Sequence, residues 1–121
     1  MFYFTCIGQK DEHGPVYEYF KDRHGYTCLF YKELYREEYW REIMPEAATK
    51  RHAVLRLRKM LGFDRIVSFG NSINDLPLFS ASDECYAVEN AAEELKRAAD
   101  GILPSNEENG VAKWLLNHSC V

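Results

Sequence analysis

The pattern of apolar and polar residues changes near Pro45. Before it, aromatic and β-branched runs at residues 2–7, 26–31 and 39–44 predict three short strands. Residues 15–23 carry apolar Val16, Tyr17, Tyr19 and Phe20 behind Pro15, which predicts a helix with the proline in its first turn and Gly25 past its end. The charged stretch 32–38 is short enough to be a turn, so the second and third strands are expected to pair as an antiparallel hairpin. After Pro45, residues 47–61 read as an amphipathic helix with Ala53, Val54, Leu57, Met60 and Leu61 on one side and Gly62 as its stop. Strands are then expected at 65–69, 84–88 and 101–103. They alternate with helices at 75–81, 91–99 (Asn90 as N-cap) and 110–117. This α-β-α-β-α-β-α order predicts an α/β fold with a doubly wound parallel sheet.

Composition narrows the class. A chain of 121 residues is long enough for one compact domain, or a small domain with part of another. Its 46% hydrophobic content supports a core, and the formal net charge of -4 gives no general electrostatic case for nucleic acid. No apolar run approaches the roughly 20 residues that span a bilayer, and no secretion signal is evident. Cys6, Cys28, Cys85 and Cys120 are widely spaced and form no CxxC pair, which argues against zinc. Three of them sit in or beside apolar runs and read as small buried hydrophobes. A reducing, cytoplasmic setting is the expectation.

The chemistry concentrates in residues 67–79. An apolar run ends at Gly70, and Asn71, Ser72, Asn74 and Asp75 follow at the C-terminal end of an expected strand. Open parallel sheets bind ligands at that rim. Four oxygen-bearing side chains in five residues suit a phosphate with a hard cation such as Mg²⁺, and they equally suit an ordinary βα turn with an N-cap. Lys50 lies in the first turn of the 47–61 helix, where a cation opposes the helix dipole, so local helix stability does not explain it. Its position allows it to reach the same rim and neutralise a phosphate or a carboxylate nucleophile. Arg51, Arg56, Arg58 and Lys59 read as a solvated basic face, with His52 at the surface among them. His13, His24 and His118 lie in polar or terminal contexts. No Ser-His-Asp or Cys-His set has suggestive spacing.

Several segments together resemble the C-terminal half of a haloacid dehalogenase-superfamily (HAD) phosphatase of the Cof type. They are Arg41-Glu-Ile-Met-Pro-Glu-Ala-Ala-Thr-Lys50, the run 55–62, Phe69-Gly-Asn-Ser-Ile-Asn-Asp-Leu-Pro-Leu-Phe79, Tyr86-Ala-Val-Glu-Asn-Ala91, Ala98-Ala-Asp100 and Ser105-Asn-Glu-Glu-Asn-Gly-Val-Ala112. The resemblance covers about residues 38–117 in order. It implies that residues 46–121 are part of the HAD-like core and that residues 1–45 are part of an α+β cap: a strand, a helix and a hairpin. It also implies that Lys50 steadies the aspartyl nucleophile and the phosphate, with Asn74 beside it. Asn71 falls where the family usually has a Mg²⁺-binding aspartate, and Asp75 would support the metal.

Two departures from the family pattern stand out. The family's Asp-x-Asp nucleophile motif is not present: the aspartates are Asp11, Asp22, Asp64, Asp75, Asp83 and Asp100. Nor is there a clear second motif, because Thr5 fits a cap strand better. Asn71 also substitutes a neutral group for a charged ligand, so Mg²⁺ binding is expected to be weak or absent. The resemblance therefore implies a phosphatase of small phosphorylated metabolites by lineage, truncated and inactive alone. The alternative is a non-catalytic binding or assembly module on the same scaffold. A core lacking its first strands leaves an open sheet edge, so the expected partner is a second copy of this chain or a chain supplying the N-terminal half.

Overall fold

A computed structural model describes residues 3–118, and Cys120 lies outside them. Strand β1 (Phe4–Gly8) leads through a 3-10 turn at Asp11–His13 into helix α1 (Gly14–Phe20). Strands β2 (Tyr26–Lys32) and β3 (Tyr39–Pro45) follow as the expected hairpin, with Tyr31 opposite Trp40 and Leu29 opposite Glu42. β1 pairs with the far side of β3, Thr5 opposite Glu42, so the order is β1-β3-β2 and all pairings are antiparallel. Thr5 is thus a strand residue of this sheet, as its sequence context implied.

The central strand β3 carries Arg41 and Glu42 next to each other, both buried. In a helix such neighbours lie on adjoining surfaces, but successive strand residues point to opposite faces of the sheet. Arg41 therefore enters the face covered by α1. There its guanidinium lies 4.4 Å from the ring centre of Phe30 and 5.0 Å from that of Tyr17, and it donates to Cys28 Sγ at 3.7 Å. These cation–π contacts offset part of its desolvation. Glu42 enters the other face, towards the second half of the molecule.

That half begins with a 3-10 turn at Glu46–Ala48 and helix α2 (Lys50–Leu61). The helix starts three residues later than its periodicity predicts, because Thr49 is its N-cap and accepts from the His52 backbone N–H. Gly62 ends it in the left-handed conformation, φ +70°. Strand β4 (Val67–Gly70), a 3-10 turn at Ile73–Asp75, helix α3 (Leu76–Ser80), strand β5 (Glu84–Val88), helix α4 (Glu93–Ala98), strand β6 (Gly101–Leu103), a 3-10 turn at Asn106–Glu108 and helix α5 (Gly110–His118) complete the expected alternation. β4, β5 and β6 form a parallel sheet in that order. Its core is Phe79, Cys85, Ala87, Val88, Ala91 and Leu95, with Leu76 and Val111 packed against them.

Two motif residues singled out in the sequence have structural roles here. Asp100 Oδ2 accepts the Cys85 backbone N–H at 2.8 Å, tying the entry of β6 to β5. Gly110 leaves no room for a side chain, since a Cβ would lie 1.9 Å from the Pro104 carbonyl oxygen.

Four expectations are corrected. Ala53, Leu57, Met60 and Leu61 do not form a buried face: Met60 is 68% and Leu61 70% exposed, while Val54 and Leu55 are only half-buried. The periodicity located the helix, but the described residues do not cover that apolar side. Asn90 does not cap the next helix; Ala92 holds that position, and Asn90 Nδ2 donates to Asn106 Oδ1 at 2.6 Å instead. His13, polar in its sequence context, is buried against Phe30, with ring centres 5.7 Å apart. Among the described cysteines only Cys85 is buried, and burial raises its thiol pKa; Cys6 and Cys28 are half-buried.

Leu95 is fully buried at the centre of the core. Leu95→Ala is expected to destabilise the fold by about 2–5 kcal/mol, the range for deleting a buried leucine. Urea unfolding of the two proteins measures it.

Candidate functional site

The end of β4, the start of α2 and the 3-10 turn after β4 converge on one carboxylate. Asp75 is only 5% exposed, yet both its oxygens are engaged. Oδ2 accepts the backbone N–H of Asn71 at 3.0 Å and of Ser72 at 3.2 Å. Oδ1 pairs with the Lys50 ammonium. The turn closes from the other side, where the Asp75 N–H donates to the Ser72 carbonyl at 2.9 Å. Gly70 is required beside this carboxylate, because a Cβ there would sit 2.8 Å from Asp75 Cβ.

Lys50 occupies the first turn of α2, where the helix dipole disfavours a cation. Asp75 supplies the compensating charge. The side chain remains half-exposed, and its Nζ also reaches Asn74 Oδ1 at 3.4 Å. An ammonium has three N–H donors, so one remains for an incoming oxygen.

All four residues singled out in the sequence therefore meet at the C-terminal end of β4, but they line two different concavities. Asn71 and Asp75, with Gly70, Val88 and Asn106, line an open cleft of about 310 Å³. Asn74 lines a separate cavity of about 70 Å³ together with Tyr3, Glu42, Met44 and Pro77. Lys50 lies in the wall of both. His52 is at the surface, its Nδ1 2.9 Å from Thr49 Oγ1, and takes no part in either.

Sequence reasoning missed Glu42 and the phenols beside it. Glu42 is 4% exposed, and its Oε2 has no hydrogen-bond partner among the described residues. The pKa values of Tyr3 and Tyr31 are both raised well above the ordinary tyrosine value. Burial is the larger cause for each, and the adjacent Glu42 carboxyl adds to it. The Asn74 side chain beside Tyr31 offsets part of that rise. Both phenols stay protonated where ordinary tyrosines ionise. One signal was available: Glu42 is a charge between Trp40 and Met44 on the same strand face. Asn106 stands in the 105–112 motif of the sequence, but only the β6–α5 connection brings it to the cleft.

Mg²⁺ normally requires several oxygen ligands, including carboxylate or substrate phosphate. The cleft's one carboxylate is already neutralised by Lys50 and holds two backbone N–H groups, while Asn71 offers a neutral oxygen. No cluster of three or more His, Cys, Asp or Glu suited to a metal occurs among the described residues. As arranged, these donors do not form a coordination set for the ion.

The chain thus joins a parallel α/β sheet, with a lysine–aspartate pair at the C-terminal end of one strand, to an antiparallel three-stranded sheet. The family model of haloacid dehalogenase-like hydrolases matches residues 5–115, and the chain belongs to that family. Over 76 residues it is 37% identical to the 5-amino-6-(5-phospho-D-ribitylamino)uracil phosphatase of Bacillus subtilis, covering 61% of this chain and 27% of that protein. It is 38% identical over 74 residues to a phosphoglycolate phosphatase of Sulfurisphaera tokodaii, covering 60% and 33%. The solved structure of a haloacid dehalogenase-like hydrolase from B. subtilis superposes with a TM-score of 0.79 at 25% identity, over 95% of this chain and 40% of that one. The chain thus spans about a third or less of these curated relatives.

Asp75→Ala removes the acceptor of two backbone N–H groups and the partner of Lys50 together. It is expected to cost about 2–4 kcal/mol of stability in urea unfolding. Asp75→Asn keeps an acceptor for the backbone and is expected to cost less. Gly70→Ala is expected to resemble Asp75→Ala, because the new methyl group displaces the carboxylate.

Proposed function

We propose that this chain is the phosphate-binding part of a phosphatase acting on small phosphorylated metabolites, and that it does not turn substrate over by itself. The observation that carries this reading is the Lys50–Asp75 pair at the mouth of the cleft, with one ammonium N–H available to a phosphate oxygen. Asp75 fixes the ammonium, and the ammonium offsets the charge of the phosphoryl group. Residues 1–121 do not supply the residue that would accept that group, because they hold no Asp-x-Asp motif and the cleft's one carboxylate is tied up by three donors. Positioning and charge alone do not replace a covalent acceptor.

The acceptor comes, in this reading, from an N-terminal half of the fold that residues 1–121 do not include. β4 lies at the edge of its sheet, with no strand on its other side among the described residues. The half-exposed Leu57 and the more exposed Met60 and Leu61 on α2 add apolar surface. Open strand edges and apolar surface of this kind favour association. A second reading, a non-catalytic module that keeps the scaffold, is favoured by the neutral Asn71 and the full engagement of Asp75.

The test is a phosphatase assay with Mg²⁺ on a broad panel of phosphorylated metabolites, with the chain alone and with a chain that supplies Asp-x-Asp. No turnover alone and turnover with the partner is the expected result; turnover alone that Lys50→Ala abolishes contradicts it, and none in either case favours the non-catalytic module. Inorganic phosphate is expected to bind the isolated chain, and Lys50→Ala to weaken it about tenfold in calorimetry. Mg²⁺ alone is expected to leave the melting temperature unchanged. Sedimentation is expected to give an oligomer when no partner is added.

A further inference from the structure

Asn90 and the 105–112 motif stand out in the sequence, and the Lys50–Asp75 pair accounts for neither. Asn90 follows the end of β5 and is half-buried. Its Nδ2 donates to Asn106 Oδ1 at 2.6 Å and to the Tyr35 hydroxyl at 3.3 Å, so both amide hydrogens are engaged. Its Oδ1 is buried without a hydrogen-bond partner among the described residues. The two hydrogen bonds lie at the surface, where water competes for them, while the unpartnered buried oxygen costs stability. Packing alone favours an apolar side chain of the same size here, so the fold does not account for an amide.

Asn106 is where the Asn90 amide acts. It lines the open cleft of about 310 Å³ together with Lys50, Asn71 and Asp75. A side-chain amide offers one acceptor oxygen and two N–H donors. With its Oδ1 occupied by Asn90, Asn106 keeps its Nδ2 for the cleft, and that group only donates. The rim around it is tied together. The Ala92 N–H donates to the Asn71 carbonyl at 3.0 Å, joining the loops after β4 and β5, and the Asn90–Asn106 bond joins those after β5 and β6. The cleft thus has a donor on α2, the Lys50 ammonium, and a second donor on the loop after β6. The Asp75 carboxylate between them is engaged by Lys50 and two backbone N–H groups. Converging donors of this kind suit an anion.

We propose that Asn106 donates from its Nδ2 to an oxygen of the phosphate held by Lys50, and that Asn90 is the positioning residue that fixes the polarity of that amide. This rests on the reading of Lys50 as the phosphate contact. Asn90 does not line the cleft and touches no ligand; it sets which end of Asn106 meets the anion. Without the Asn90 donor, the Asn106 amide is free to turn its carbonyl oxygen towards the cleft, where it repels a phosphate oxygen. Neither residue makes or breaks a covalent bond.

Calorimetric titration of the full chain with inorganic phosphate, read together with the Asn106 side-chain N–H resonances by NMR, tests the proposal. In the wild-type chain those resonances are expected to move as phosphate is added and to saturate with the calorimetric affinity. Asn106→Ala is expected to weaken phosphate binding about tenfold, as the loss of one hydrogen bond to a charged group allows. Asn90→Leu is expected to weaken it about threefold, because Asn106 then samples both orientations. Its melting temperature is expected to be no lower than that of the wild type, since the unpartnered oxygen is gone. Asn90→Gln, which keeps an amide donor, is expected to restore part of the affinity. Tyr35→Phe removes only the other bond of Asn90 and is expected to leave phosphate binding unchanged. Asn106 resonances that stay still while phosphate binds the wild-type chain overturn the proposal without any variant having to fold. Unaltered phosphate binding by Asn106→Ala also overturns it, and unaltered binding by Asn90→Leu overturns the positioning role. If phosphate does not bind the wild-type chain at all, the phosphate-site reading fails and the role of Asn106 falls with it.

Discussion

The buried carboxylate of Asp75 is the constraint on which the site depends. It holds the loop after β4 by two backbone N–H groups and holds the start of α2 through Lys50. A carboxylate this deeply buried is tolerated only with such partners, because the desolvation of an unpaired charge would exceed what local packing contributes. The requirement runs in both directions. Lys50 is placed unfavourably for its own helix dipole, and Asp75 makes that position acceptable. Gly70 belongs to the same arrangement, since any side chain there would occupy the carboxylate's space.

The antiparallel sheet distributes charge across two faces by the alternation of a single strand. Arg41 is stabilised on one face by aromatic rings and a thiol. Glu42 is set into the other face beside two phenols, and its Oε2 has no hydrogen-bond partner among the described residues. The two charges are adjacent in sequence and cannot neutralise each other. One serves packing beneath α1, and the other is turned towards the cavity that Lys50 borders. The site is thereby built from both sheets, with Lys50 as the side chain common to the cleft and the cavity.

The elements themselves were legible because their signals are local. The strand positions, the hairpin turn, the αL glycine at 62 and the alternation after Pro45 follow from periodicity and from residues with restricted backbone preferences. Asn71, Asn74, Asp75 and Lys50 were legible as a group, since the end of a strand and the start of a helix bring them to one rim. The apolar side of α2 misled, because periodicity reports which residues share a helix face and not whether anything covers it. Asn90 misled for a related reason: its side chain bonds Asn106 across the molecule, and a residue suited to capping has no obligation to cap.

The sequence by itself determined the α/β class, the order of the elements, the family resemblance and the residues at the end of β4, because each depends on contacts within a few residues or on motif order. Only the tertiary structure decided that β1 pairs outside β3, that Arg41 and Glu42 are both buried, and that Asn71 and Asn74 face different concavities. Those outcomes depend on which surfaces meet at long sequence separation. A buried charge reads in a sequence like a solvated one; its partners, or the absence of one at Glu42 Oε2 among the described residues, are set by the packing of the two sheets.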